Sequence, residues 1–222
     1  MRAIKNLFNY LIGKNVYLLI TPIGFNRGNW SVLKKNSFSQ FIGTYEKNLV
    51  PYIVSNIKQT LEEFNKPIIF DIGSSYGYYS SYFSKFDNCK VVAFEPDKRA
   101  FKTLKKIQKK RNNLILENLE INEDKKHNTI DLQSAIKKFG TPNLIKIDIE
   151  GYEKELLSNN INYFKNNSTV IIVEVHSLEI ENSIKLSFEN IGYNVKIINN
   201  DVKTLKIRNV NHNRWLIIDK KN

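Results

Sequence analysis

Ile68-Ile69-Phe70-Asp71-Ile72-Gly73-Ser74-Ser75-Tyr76-Gly77 is the stretch that decides the fold. Its first five residues, mostly β-branched or aromatic, read as a buried strand. Gly73 then permits a tight turn and lets a ligand come close to the backbone. The spacing predicts a helix opening near Tyr78. The N-terminus of such a helix directs unpaired N–H groups at the loop, which favours a carboxylate or a phosphate there.

Downstream the same strand-to-helix alternation repeats. Val91–Phe94, Leu114–Leu116, Leu144–Ile149 and Val170–Val175 are short apolar runs. The stretches between them are long enough for crossover helices. Lys98–Arg111 is one such helix, with Phe101, Leu104 and Ile107 on one side and lysines on the others. Alternation of this kind predicts a doubly wound α/β sheet, mostly parallel. After Gly192 the pattern changes to two strands, Tyr193–Ile198 and Arg214–Asp219, joined by a long turn, which predicts an antiparallel end to the sheet. Upstream, Asn48–Phe64 reads as a helix feeding the first strand. Residues 1–42 form an N-terminal extension, and residues 43–222 the main domain. In the extension Ile4, Leu7, Phe8, Leu11 and Ile12 make one stripe of an amphipathic basic helix. Such a helix lies on a membrane surface or a partner, or packs on its own domain or on a second copy of the chain in a homodimer.

The chain has 222 residues, 41% of them hydrophobic and 25% charged, which supports a full core. A single cysteine, Cys89, excludes an internal disulfide framework. No apolar run is long enough to span a membrane, and no signal peptide is recognised, so a reducing cytoplasm is the expected location. The net charge of +12 invites an anionic partner. However, 28 Lys, 30 Asn and 29 Ile rise together, which points to biased codon usage rather than selection for charge. Nucleic acid is therefore not the expected partner.

The loop lacks the G-x-G-x-x-G spacing of dinucleotide enzymes. Glu95, followed by Pro96, ends the second strand 22 residues after Gly73, where an acid can accept both hydroxyls of a ribose. An acid two residues before the first glycine suits a ligand with an ammonium group. S-adenosylmethionine (SAM) has an ammonium, a carboxylate and a ribose. Asp71 would serve the ammonium, the Gly73, Ser74, Ser75, Tyr76 and Gly77 loop the carboxylate, and Glu95 with Pro96 the ribose.

A second dense segment is Leu144-Ile145-Lys146-Ile147-Asp148-Ile149-Glu150-Gly151-Tyr152-Glu153. Lys146 and Asp148 share one face, as do Glu174 and His176 in the next strand. Burying such charges is costly unless they are paired, and Lys146 with Glu174 is the expected ion pair. If the two strands are neighbours, the four groups converge at the carboxyl edge of the sheet, where ligands bind in this architecture. Tyr76, Tyr79 and Phe83 fall at helical spacing and read as core. His127 and His212 read as solvated.

These segments, with Gly43-Thr44-Tyr45-Glu46, Phe94-Glu95-Pro96-Asp97, Thr129-Ile130-Asp131-Leu132 and Val173-Glu174-Val175-His176, resemble the FkbM family of SAM-dependent methyltransferases. They occur in the family's order and cover roughly residues 43–200. The Lys-Ile-Asp-Ile-Glu-Gly-x-Glu run is the most specific. The resemblance implies a seven-stranded, Rossmann-like class I fold with SAM as cofactor. It also implies methyl transfer to a hydroxyl oxygen of a sugar, glycolipid or small metabolite. By the same resemblance, Asp148 would meet both cofactor and acceptor. Two departures stand out: Gly73-Ser74-Ser75 where the family often has Gly-Ala-Asn, and a poorly matching stretch from Glu117 to His127.

Methyl transfer from a sulfonium needs alignment and, for a sugar hydroxyl, a base. Asp148, His176 and Glu150 are the expected catalytic residues, with His176 the best base by its ordinary pKa. Tyr152 is a weaker acceptor contact. Asp148, Glu174 and His176 offer ligands to a divalent cation, but no metal is expected. Two other classes compete. A nucleic-acid methyltransferase would explain the charge, but no RNA-binding module is recognised, nor any Asn/Asp-Pro-Pro-Tyr/Phe signature. A non-catalytic SAM-fold binding module would not need Asp71, Gly73, Gly77 and Glu95 together.

Overall fold

The computed structural model describes residues 2–12, 17–34, 37–42, 44–124, 127–200 and 212–220. In chain order the elements are α1 (Arg2–Ile12), β1 (Tyr17–Ile20), β2 (Trp30–Leu33), α2 (Phe38–Phe41), α3 (Val50–Glu63), β3 (Ile68–Ile72), α4 (Tyr78–Phe83), β4 (Lys90–Phe94) and α5 (Lys98–Gln108). They continue with β5 (Leu114–Glu117), β6 (Glu120–Ile121), β7 (Thr129–Ile130), α6 (Leu132–Phe139), β8 (Leu144–Ile147), α7 (Glu153–Asn159) and α8 (Ile161–Asn166). The last are β9 (Val170–Val175), α9 (Leu178–Asn190), β10 (Tyr193–Asn199) and β11 (Arg214–Lys220).

Seven strands form one sheet in the order β10-β11-β9-β8-β3-β4-β5. All neighbours are parallel except β11, which runs antiparallel to both β9 and β10. The doubly wound sheet with an antiparallel end is thus the one expected. The turn predicted between β10 and β11 lies mostly outside the described residues. β1 pairs with β2, and β6 with β7, in two small separate sheets.

The central strands are apolar along their length because helices cover both faces. Phe70, Ile72, Ile145, Ile147, Ile171 and Val173 point to one face, against Leu132 and Phe139 of α6, Leu156 and Leu157 of α7, Phe164 of α8 and Phe188 of α9. Ile69, Val91, Leu144 and Ile172 point to the other, against Ile53 and Ile57 of α3, the tyrosines and Phe83 of α4, and Ile107 of α5. Asp71, Lys146 and Glu174 follow the period-two alternation onto this second face. Three ionisable groups therefore sit under α3 and α4, at the carboxyl ends of adjacent strands.

Asp97 and Asp131 cap α5 and α6 by accepting the N–H groups of Ala100 and Ser134, and Ser177 caps α9 through Ile180. The N-terminal extension packs on α4. The Asn26 amide donates to the Tyr78 carbonyl at 2.8 Å, and Phe25 stacks on Tyr82 with ring centroids 3.8 Å apart. Tyr79 and Phe83 are core, as expected, whereas Tyr76 is half-buried under the Lys34 ammonium. His212 departs from its solvated reading: its Nε2 lies 3.1 Å from Glu181, which also pairs with Arg214 at 2.9 Å. His127 is exposed. Among the described residues no helix is long and apolar enough to cross a membrane.

Candidate active site

A cleft of about 810 Å³ opens over the carboxyl ends of β9, β8, β3 and β4. That is within the roughly 300–1,000 Å³ of sites that enclose a ligand of cofactor size. Its lining joins two groups of residues. One comprises Gly73, Ser74, Ser75 and Tyr76 of the first loop, Glu95 and Pro96, and Leu119, Glu120 and Ile121. The other comprises Lys146, Asp148, Glu150, Glu174 and His176, roofed by Tyr45, Tyr78 and Tyr79. Asp71 and Gly77 stand behind the lining rather than in it.

Glu95 anchors the first group. It is buried, and its two carboxylate oxygens accept the N–H groups of Ser75 at 2.6 Å and Asp97 at 2.8 Å. Burial raises its pKa, and those two N–H bonds oppose the rise. A carboxylate has about four acceptor positions, so the side chain can still take the two hydroxyls of a ribose. Gly73 and Ser74 both donate their N–H to the Phe94 carbonyl, at 3.1 and 3.0 Å, and Gly77 donates to Ser74. The loop N–H groups read as carboxylate donors are therefore engaged within the chain at Gly73, Ser74, Ser75 and Gly77. Lys34, from the extension, lines this part of the cleft with its ammonium 3.2 Å from the centre of the Tyr76 ring. Burial lowers its pKa, with Asp97 and Glu95 opposing.

Gly73 has φ +75°, and a Cβ built on it would collide with the carbonyl oxygen of Asp148. The glycine lets the loop after β3 touch the segment after β8, which closes the floor of the cleft. Gly73→Ala combines a left-handed backbone with that collision. It is expected to destabilise the fold by about 1–3 kcal/mol or more, read as a lower midpoint in urea unfolding.

In the second group His176 is held by a buried acid that no local sequence pattern singles out. Its Nδ1 lies 3.0 Å from Glu153, a carboxylate fully buried at the start of α7. Glu153 also accepts the Gly151 N–H with both oxygens, at 3.0 and 2.9 Å. With Glu153 as the acceptor Nδ1 carries the hydrogen, and in the neutral ring Nε2 is then the nitrogen that can take a proton. Nε2 lies 3.8 Å from Glu174. The hydrogen bond to Glu153 is the largest influence on His176 and raises its pKa; burial opposes it.

Lys146 pairs with Asp148 at 3.3 Å, not with Glu174 as expected. Glu174 is claimed instead by β11 and the residue before it: the Asn213 amide and the Trp215 indole N–H, the latter at 3.3 Å, both donate to it. Burial, with Asp148 and Glu46 nearby, pushes Glu174 up to about 7. Burial alone would lower the Lys146 pKa, but Asp148, Asp71, Glu46 and Glu174 together raise it well above the ordinary lysine range. Asp71 accepts the Ser80 hydroxyl, and burial raises its pKa. Glu46 accepts the Tyr79 hydroxyl, and burial raises its pKa as well. Glu150 is exposed at the rim with φ +49°. Tyr152 turns away, its hydroxyl accepting the Glu123 N–H at 3.2 Å, so it is not an acceptor contact in this arrangement. Ligand atoms of Asp148, Glu174 and His176 lie within 4.8 Å of one another and could hold a cation. The Lys146 ammonium already shares the Asp148 carboxylate.

Residues 125–195 match the methyltransferase FkbM domain. The match runs into the start of β10 and contains both Lys146–Glu153 and Glu174–His176. An rRNA methylase from Streptococcus thermophilus has a similar structure, with a TM-score of 0.56 and 8% identity over 80% of this chain and 99% of that one. Precorrin-6y C5,15-methyltransferase from Geobacter metallireducens GS-15 superimposes with a TM-score of 0.52 and 14% identity, covering 78% of this chain and 88% of that one. Aeropyrum pernix fibrillarin, in complex with natively bound S-adenosyl-L-methionine, gives a TM-score of 0.52 and 12% identity over 75% and 73% of the two chains. The chain has the seven-stranded fold of class I methyltransferases. At these identities the likeness extends to the fold alone. No curated protein matches the sequence significantly.

Proposed function

We propose that this chain is a methyltransferase that uses SAM to methylate a hydroxyl oxygen on a sugar, glycolipid or small metabolite. The observation that carries the reading is the Glu153–His176 pair, which holds the imidazole in the same cleft that Glu95 enters from β4. SAM, when bound, supplies the methyl group already activated as a sulfonium.

The chain's own work is then to bind, orient and deprotonate. Glu95 accepts the ribose hydroxyls, and Leu119 and Ile121 give an apolar wall where a nucleoside base can lie. Lys34 offers a cation to a carboxylate. Asp148, fixed by Lys146, accepts a hydrogen bond from the acceptor or from an ammonium group. His176 would take the acceptor hydroxyl's proton on Nε2, and Glu153 would stabilise the resulting imidazolium, the methyl group passing to the oxygen from SAM, which leaves as the neutral thioether. Tyr45, Tyr78 and Tyr79 exclude water from above. Glu150, at the rim of the cleft, is the third residue assigned to catalysis.

Calorimetric titration of SAM into the full chain tests the cofactor. Saturable binding is expected, weakened about 10- to 100-fold in Glu95→Ala, the scale of one or two hydrogen bonds to a charged group. NAD is expected not to bind. A folded protein that ignores SAM would overturn the proposal.

A further inference from the structure

The first 45 residues contain six basic side chains and no acidic one; Glu46 is the first acid in the chain. Half of the net charge of +12 therefore sits in one fifth of the sequence. The same segment exposes large apolar side chains. On α1, Phe8 faces inward, with its ring 5.1 Å from Phe38 and 6.2 Å from Phe41 of α2. Leu7 and Leu11 flank Phe8, roughly 100° and 60° around the helix at about 3.6 residues per turn, and Tyr10 lies nearly opposite; they are 58%, 68% and 84% exposed. The apolar arc of α1 is thus wider than the part that packs on the domain. Leu19 and Ile20 of β1, and Ile23 after it, are also exposed.

We propose that this N-terminal face docks on an anionic lipid surface. Exposed leucine, isoleucine and tyrosine insert at the headgroup boundary, and an acid-free basic segment is drawn to negative headgroups. Charge separates this occupant from the alternatives. A second copy of the chain would bring together two basic segments with no acid in either to offset the charge. A nucleic acid would satisfy the charge but leave Leu7, Leu11 and Ile20 in water.

The placement also bears on the acceptor. α1 stands on α2, and Gln40 of α2 lines the cleft, as does Lys34 just after β2. On the reading that the cleft binds an acceptor, docking holds its rim beside the bilayer, where a lipid-borne hydroxyl would be presented.

The test is flotation of the full chain with vesicles of phosphatidylcholine alone and of phosphatidylcholine with phosphatidylglycerol. The wild type is expected to float with the anionic vesicles, less so as salt rises. The triple variant Leu7→Ser/Leu11→Ser/Ile20→Ser should lose at least about tenfold in vesicle affinity, because the removed side chains no longer leave water. These side chains are exposed, so its melting temperature and SAM titration should match the wild type. That match separates failure of docking from failure of the cofactor reading. Three results would each overturn the proposal: no flotation of the wild type, equal flotation of the triple variant, or a dimer that the triple substitution dissociates in the absence of vesicle binding.

Discussion

His176→Gln is expected to lower kcat for methyl transfer by about 10²- to 10⁴-fold, the usual contribution of a positioned general base. SAM affinity should stay near the wild-type value, because His176 follows β9 and Glu95 follows β4, with β8 and β3 between them in the sheet. The pH profile makes the expectation specific. Glu153 holds the His176 pKa above its ordinary 6.5, and only the neutral imidazole can take a proton. The rate should therefore rise with pH through a midpoint above 6.5. Glu153→Gln keeps an acceptor for Nδ1 and for the Gly151 N–H but removes the charge that favours imidazolium. Its profile should move to lower pH while its plateau falls. Were Glu153 only a packing residue, the midpoint would stay in place, and a midpoint unmoved in Glu153→Gln would remove it from the mechanism.

The frame of this molecule was legible for a simple reason. β3, β4, β8 and β9 are covered on both faces, so they read as continuous apolar runs, and glycines mark the turn that follows the first of them. The cluster at the carboxyl edge was legible for a related reason. Charged residues two apart in neighbouring parallel strands must share a face, and β8 and β9 do pair. The identity of each partner was not legible. Glu174 is taken by Asn213 and Trp215 because β11 inserts beside β9, a long-range placement that no local pattern announces. Glu153 looks like an ordinary acid in the first turn of a helix, and only its burial against His176 gives it a second use. Lys34 and Gln40 reach the cleft from the extension, where the reading sought no site residues. The nearest usable signal was the Gly43-Thr44-Tyr45-Glu46 segment, which does bring Tyr45 to the lining and Glu46 to the buried cluster.

Lys146 carries the largest expected effect on stability. It is 3% exposed and faces Asp148, Asp71, Glu46 and Glu174, so one buried cation balances four carboxyl groups. Lys146→Met keeps most of the volume and removes the charge. Breaking a buried ionic group by deleting one side leaves the rest uncompensated, at a cost of about 3–5 kcal/mol. The pH dependence identifies the cause. Asp71, Glu46 and Glu174 already have folded pKa values above their ordinary ones, and losing Lys146 raises them further. Between the unfolded and folded values, the folded state binds more protons than the unfolded one, so stability falls as pH rises through that window. The deficit of Lys146→Met relative to wild type should therefore be smaller at pH 5 than at pH 8 in urea unfolding. Adding Glu174→Gln should restore part of it at pH 8, because the amide no longer needs a counter-charge, although its single oxygen keeps only one of the bonds from Asn213 and Trp215. A deficit of equal size at both pH values would mean that Lys146 acts by packing over Tyr79, whose ring centre lies 5.0 Å from its ammonium, and not by neutralising the cluster.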